Sequence, residues 1–127
     1  MSLQTPLARA RGLGSAKSGL KHWWYQRLTA VALVPLSLWF VSFVIEAAGA
    51  DYDVVVDSLK SPATAALMIA FIGASFYHAQ LGLQVVIEDY VHIEWLKVAA
   101  IISVQLAAVL LGLMASVAIL QIALGIA

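Results

Sequence analysis

Five residues carry side chains whose type and position could do chemistry in this otherwise apolar chain: His78, the run Glu88-Asp89-Tyr90, and Arg27. His78 stands deep in the uncharged stretch from Ser61 to Ile87. Ionisable groups at such depth are rare and turn toward the interior of a helix bundle. One helical turn away on either side stand Ala74 and Gly82, small residues that leave a shallow surface on which a flat ligand can lie. Histidine on such a surface suits an axial position on haem iron. It equally suits a neutral packing residue hydrogen-bonded to a neighbouring helix. If the iron is held by two histidines, the second must come from a partner subunit, because His22 and His92 fall at the interface and in a loop.

Asp89 follows His78 by eleven residues, close to three helical turns, so the two share nearly one face. Their axial separation is roughly 16 Å at about 1.5 Å per residue, room for a cofactor and a second site in sequence. A tyrosine hydroxyl donates to a ligand carbonyl, and a neighbouring carboxylate orients it or relays a proton. The plainer reading of Glu88-Asp89-Tyr90 is a helix end at the water boundary. Arg27 opens the first apolar stretch, either as a topology marker or as a clamp for an anionic group such as a haem propionate.

The elements that must position these residues follow from composition. The 127 residues are 63% hydrophobic and 11% charged, with a mean hydropathy of +0.96. A soluble domain carries about 25% charged residues and could not cover its surface with seven acids and seven bases. The surplus faces lipid, and the fold class is all-α, a membrane bundle of three transmembrane helices. The chain has no cysteine, so it cannot supply thiolates to zinc or to an iron–sulfur cluster.

Three stretches carry no formal charge: Leu28 to Ile45, Ser61 to Ile87 and Val98 to Ala127. Spanning helices need about 20 apolar residues. The expected divisions are a basic arm over 1–22, spans over 23–48, 62–88 and 97–125, an outer loop over 49–61 and an inner loop over 89–96. Pro35 should bend or loosen the first span, whereas Pro62 opens the second where its missing N–H costs little. Trp23, Trp24, Tyr25 and Trp95 lie at expected interfaces. Ala66, Ala70, Ala74, His78 and Gly82 form one stripe of the second span.

Arg9, Arg11, Lys17, Lys21 and Arg27 all stand before residue 28 without a single acid among them, while 46–60 carries four acids and one base. Beside an apolar helix, such an arm is a topology signal rather than a nucleic-acid site, and it places the N-terminus inside and the C-terminus outside. The same acid-free arm looks a little like a mitochondrial transit peptide, so a mitochondrial inner membrane stands as the alternative to a bacterial one. A cleaved signal peptide fits less well, since the leader and the apolar stretch are both too long.

The run Tyr77-His78-Ala79-Gln80-Leu81-Gly82, then Gln84-Val85 and Asp89-Tyr90-Val91, resembles the hydrophobic membrane anchor (D) subunit of succinate dehydrogenase. The segment from His22 to Ala30 and the leader Gly12 to Gly19 resemble alphaproteobacterial members. The resemblance implies that His78 is an axial ligand of haem b, shared with a histidine of a cytochrome b (C) anchor subunit. It implies that Tyr90, assisted by Asp89, binds the ubiquinone head group, that Arg27 lies near the haem propionates and the quinone, and that Gly82 permits close haem approach. Flavoprotein and iron–sulfur partners would dock on the inner side, the side to which charge assigns Asp89 and Tyr90. The chain would then anchor a succinate:ubiquinone oxidoreductase without a catalytic centre of its own. The companion cytochrome b anchor and a fumarate reductase anchor are related readings. A small proton-coupled transporter or membrane assembly protein is a reading of another class, although no internal repeat supports it.

Overall fold

A computed structural model describes residues 5–7 and 19–126. Arg9, Arg11, Lys17 and most of the leader lie outside the described residues. Four helices have their bounds among those described: α1 (Gly19–Ala48), α2 (Tyr52–Lys60), α3 (Pro62–Tyr90) and α4 (Glu94–Leu124). Three of them, α1, α3 and α4, are long and apolar enough to cross a membrane. Helix α1 continues through Pro35 and is helical from Gly19 onward among the described residues, so Lys21 and His22 of the basic arm are already helical.

Helix α2 lies in the segment read above as an outer loop. Its nine residues place Asp53 in the first turn and Lys60 in the last, both favourable to the helix dipole. Lys60 donates to Asp57 across one turn at 2.8 Å. That hydrogen bond, and the Asp57 charge behind it, hold the Lys60 ammonium above its ordinary value. Leu59 is buried, and α2 contacts both α3 and α4. The acids Asp51, Asp53 and Asp57 read as a solvated outer loop, yet the segment folds as an amphipathic helix with Val55 and Val56 half-buried on the side of Leu59.

The ends of the long helices follow from local chemistry. Ser61 precedes α3 in an extended conformation and Pro62 occupies the first turn, where no hydrogen bond is lost. Helix α4 stops at Gly125, whose φ of 68° is easy only for glycine. There the Ile126 N–H reaches the Gln121 carbonyl at 3.0 Å and the Gly125 N–H reaches Ile122 at 3.1 Å, the paired closure of a Schellman motif.

Helix α3 is central and packs against both α1 and α4. Ala65, Met68, Gln80 and Leu81 of α3 are buried, whereas α1 and α4 keep none of their residues fully covered. Val31, Leu38, Leu106 and Leu124 stand open, a surface matched by hydrocarbon or by another apolar chain and not by water. Aromatic pairs join α1 to α3: Phe40 stacks on Phe71 with centroids 4.4 Å apart, and Tyr25 meets Tyr77 edge-on at 6.1 Å.

Between α3 and α4, a Cβ placed on Gly112 would sit 3.6 Å from the Phe76 ring. Gly112→Ala is therefore expected to be tolerated. Gly112→Leu forces the two helices apart, at about 1–3 kcal/mol for an overpacked contact. A lowered thermal midpoint of the detergent-solubilised protein for leucine but not for alanine is the expected result.

Candidate functional site

The site is built where α1 crosses α3. His78 projects from α3 toward α1 and is part-buried there. Both of its ring nitrogens meet α1. Nδ1 lies 2.8 Å from the Thr29 hydroxyl, and Nε2 lies 3.4 Å from the Gln26 amide nitrogen. The same hydroxyl lies 2.8 Å from the Tyr25 carbonyl and 3.0 Å from that of Gln26, the usual back-bond of a threonine inside a helix.

Gln26 and Thr29 reach the same imidazole because they are three residues apart, nearly one turn of α1. The Gln26 amide nitrogen also stands 3.6 Å from where a Cβ on Gly82 would be. The small surface beside His78 is thus covered by the flexible end of Gln26. Its oxygen is buried there without a hydrogen-bond partner. A long, unbranched side chain with an unsatisfied oxygen is cheap to displace.

Arg27 lies on a different face of α1 and is exposed. Its guanidinium sits 4.5 Å from the centre of the Trp23 ring, a cation–π contact, and Trp23 in turn meets Trp24 edge-on at 5.2 Å. No described residue joins it in an ion pair. Asp89 and Tyr90 occupy the last turn of α3, both exposed, with no side-chain hydrogen bond among the described residues. The structure brings His78 and Gly82 together with α1, and leaves Arg27, Asp89 and Tyr90 on open surface. Among the described residues no three histidine, aspartate or glutamate side chains converge as a metal cluster.

Two clefts open beside this site. One, of about 490 Å³, lies between α3 and α4 and is lined by Gly73, Phe76, Ala108 and Gly112 among others. The second, of about 460 Å³, is more polar and is lined by Lys21, His22, Gln84 and Glu88. Tyr77, Gln80 and Gln105 border both, and His78 lines neither. Along α3, Gln80 donates to Gln84 at 3.4 Å and Gln84 to Glu88 at 2.8 Å. Of these residues only Glu88 was given a possible role from the sequence; Gln80, Gln84, Gln26 and Thr29 stood inside the family-like runs without one. The signal was present as polar residues at three- and four-residue spacing inside apolar spans.

These features define a class: a multi-pass α-helical membrane protein with an imidazole held between two of its spans. A profile of the succinate dehydrogenase/fumarate reductase transmembrane subunit matches residues 1–120. The succinate dehydrogenase hydrophobic membrane anchor subunit of Rickettsia bellii is 40% identical over 104 residues, 82% of this chain and 83% of its own. The subunit of the same name from Paracoccus denitrificans is 33% identical, over 79% of this chain and 78% of its own. The succinate dehydrogenase membrane anchor subunit of Reclinomonas americana is 30% identical, over 73% of this chain and 80% of its own. No solved structure gives a significant match. The chain belongs to the succinate dehydrogenase/fumarate reductase transmembrane subunit family.

Proposed function

We propose that this chain is the hydrophobic anchor of a succinate dehydrogenase, holding one side of a haem b site and part of a ubiquinone site at the inner face of a bacterial inner membrane. The observation that carries the reading is the seating of His78. An imidazole at the α1–α3 crossing is anchored through Nδ1, while Nε2 is covered only by a displaceable amide. Those residues fit a haem iron: His78 would be one axial ligand and Gly82 would let the macrocycle lie close. The other axial ligand would come from a cytochrome b (C) anchor subunit packed on the open faces of α1 and α3. When bound, such a haem supplies one-electron redox capacity within the membrane.

The chain's own residues then divide the remaining work. Arg27, held over Trp23, would offer a fixed cation to the haem propionates or to the quinone. Glu88 and Asp89 stand in the last turn of α3, where the helix dipole disfavours anions by about 0.3–1 kcal/mol each. Glu88 accepts from Gln84, which leaves the Asp89 carboxylate free for a ligand. Tyr90 would donate its phenolic hydrogen to a quinone carbonyl, with Asp89 orienting it or relaying a proton. Succinate oxidation itself would belong to the flavoprotein and iron–sulfur partners, docked on the side of the N-terminal arm and the 88–97 turn, with the C-terminus outside.

An affinity tag on this chain provides the test. The complex isolated through it should carry flavin and iron–sulfur centres, oxidise succinate with a dye acceptor, and show a b-type α-band when reduced with dithionite. A stable isolated chain with neither succinate activity nor haem would overturn the reading and favour transport or assembly.

A further inference from the structure

We infer that Thr29 is a positioning residue for the haem ligand, fixing the protonation pattern of the His78 ring so that Nε2 presents its lone pair to the iron. The inference deepens the reading of His78 as an axial ligand and rests on it.

Two contacts on one ring carry it. The Thr29 hydroxyl owns a single proton, and two carbonyls of its own helix lie within reach of it, Tyr25 at 2.8 Å and Gln26 at 3.0 Å. With that proton given to the helix, the oxygen has only lone pairs to offer His78. The 2.8 Å contact is then an Nδ1–H donating to Thr29. On the opposite edge of the ring, the Gln26 amide nitrogen can only donate, so Nε2 must accept. Both contacts demand the same neutral tautomer, protonated at Nδ1 and open at Nε2. Turning the Gln26 amide over would demand the other tautomer, and would also take the Thr29 proton away from the Tyr25 and Gln26 carbonyls.

The two α1 residues therefore differ in kind. Thr29 is short, β-branched and tied to its own helix, so its oxygen is a fixed acceptor. Gln26 is long, and its oxygen is buried without a partner, so its amide can withdraw from Nε2 and uncover Gly82. A ligating histidine normally donates its other ring N–H to an acceptor, which sets ring orientation and makes the ligand more basic. A more basic imidazole favours the higher charge on iron. Removing the acceptor should then shift the iron toward its reduced form.

The test compares wild type, Thr29→Ser, Thr29→Val and His78→Ala in the purified complex. Each is read by haem content, reduced-minus-oxidised spectrum, low-spin electron paramagnetic resonance and haem midpoint potential. Thr29→Val is expected to keep haem but to move the equilibrium about tenfold toward reduction, about 59 mV upward for a one-electron couple. Thr29→Ser, which keeps the acceptor, should restore the wild-type potential and resonance. Should Thr29→Val not assemble, Thr29→Cys supplies a weaker acceptor of similar size and is read in the same way. Potentials and resonances equal across the acceptor-poor variants, serine and wild type would overturn the inference while leaving His78 as ligand. An unaltered haem spectrum in His78→Ala would instead remove the ligand reading on which the inference rests.

Discussion

Replacement of His78 by alanine is expected to abolish the low-spin haem b spectrum of the complex while the chain still inserts in the membrane. The imidazole is the side chain at the α1–α3 crossing able to donate a lone pair to iron, and both its ring nitrogens are already oriented by α1. Nearby Gln26 and Thr29 offer weak ligands only. The helices themselves do not depend on this contact. The stacked pair Phe40–Phe71 and the Phe76–Gly112 contact lie elsewhere along α3. Loss of two hydrogen bonds to a neutral ring removes about 1–3 kcal/mol in all, less than packed apolar faces supply. The measurement is a dithionite-reduced minus oxidised spectrum beside a quantitative blot of the membranes. An α-band of wild-type size in the alanine variant would return His78 to a packing role. Loss of the chain from the membrane would do the same, since it would make the residue essential to the fold.

Tyr90→Phe is expected to slow ubiquinone reduction by about five- to tenfold while dye-linked succinate oxidation is unchanged. The factor corresponds to one hydrogen bond of about 1–1.4 kcal/mol withheld from the quinone carbonyl. Tyr90 is 78% exposed and its hydroxyl binds no described residue, so the group is free to donate to an incoming ligand. The same exposure makes the substitution harmless to the fold, because phenylalanine keeps the ring. Assaying the complex with a soluble quinone analogue and with an artificial dye separates the two steps. Equal loss of both activities would locate the defect in assembly with the partner subunits. Equal retention of both would remove Tyr90 from the quinone site.

Glu88, Asp89, Tyr90 and the His78 crossing lie on one continuous helix, so a single span would serve both proposed sites. Helix α3 is buried along Ala65, Met68, Gln80 and Leu81 and so is held by neighbours on both sides. Its last turn emerges where Gln84 fixes Glu88 at 2.8 Å and leaves Asp89 open. A site mounted on such a rigid element holds its geometry better than one on a loop, which would suit the proposed quinone site.

Much of this protein was legible in the order of its residues. Three uncharged stretches of sufficient length require three spanning helices, because no other open structure satisfies its backbone in hydrocarbon. His78 stood out by its depth, and Asp89 and Tyr90 by their distance from it on one helix. Local chemistry also marked Pro62 as a helix start, since that concerns only neighbours in sequence. Leu59 of α2 is buried in the fold, and its three- and four-residue spacing from Val56 and Val55 was a helical signal that the acids around it masked. The tertiary structure decided the rest. That Gln26 and Thr29 grip His78 depends on the height at which α1 crosses α3, set by packing between residues about fifty positions apart. Hydrophobic length determines that a helix crosses the membrane, but apolar surface is nearly indifferent to rotation and register in lipid. The choice of which polar side chains meet is left to the few contacts, such as these, that only one register can make.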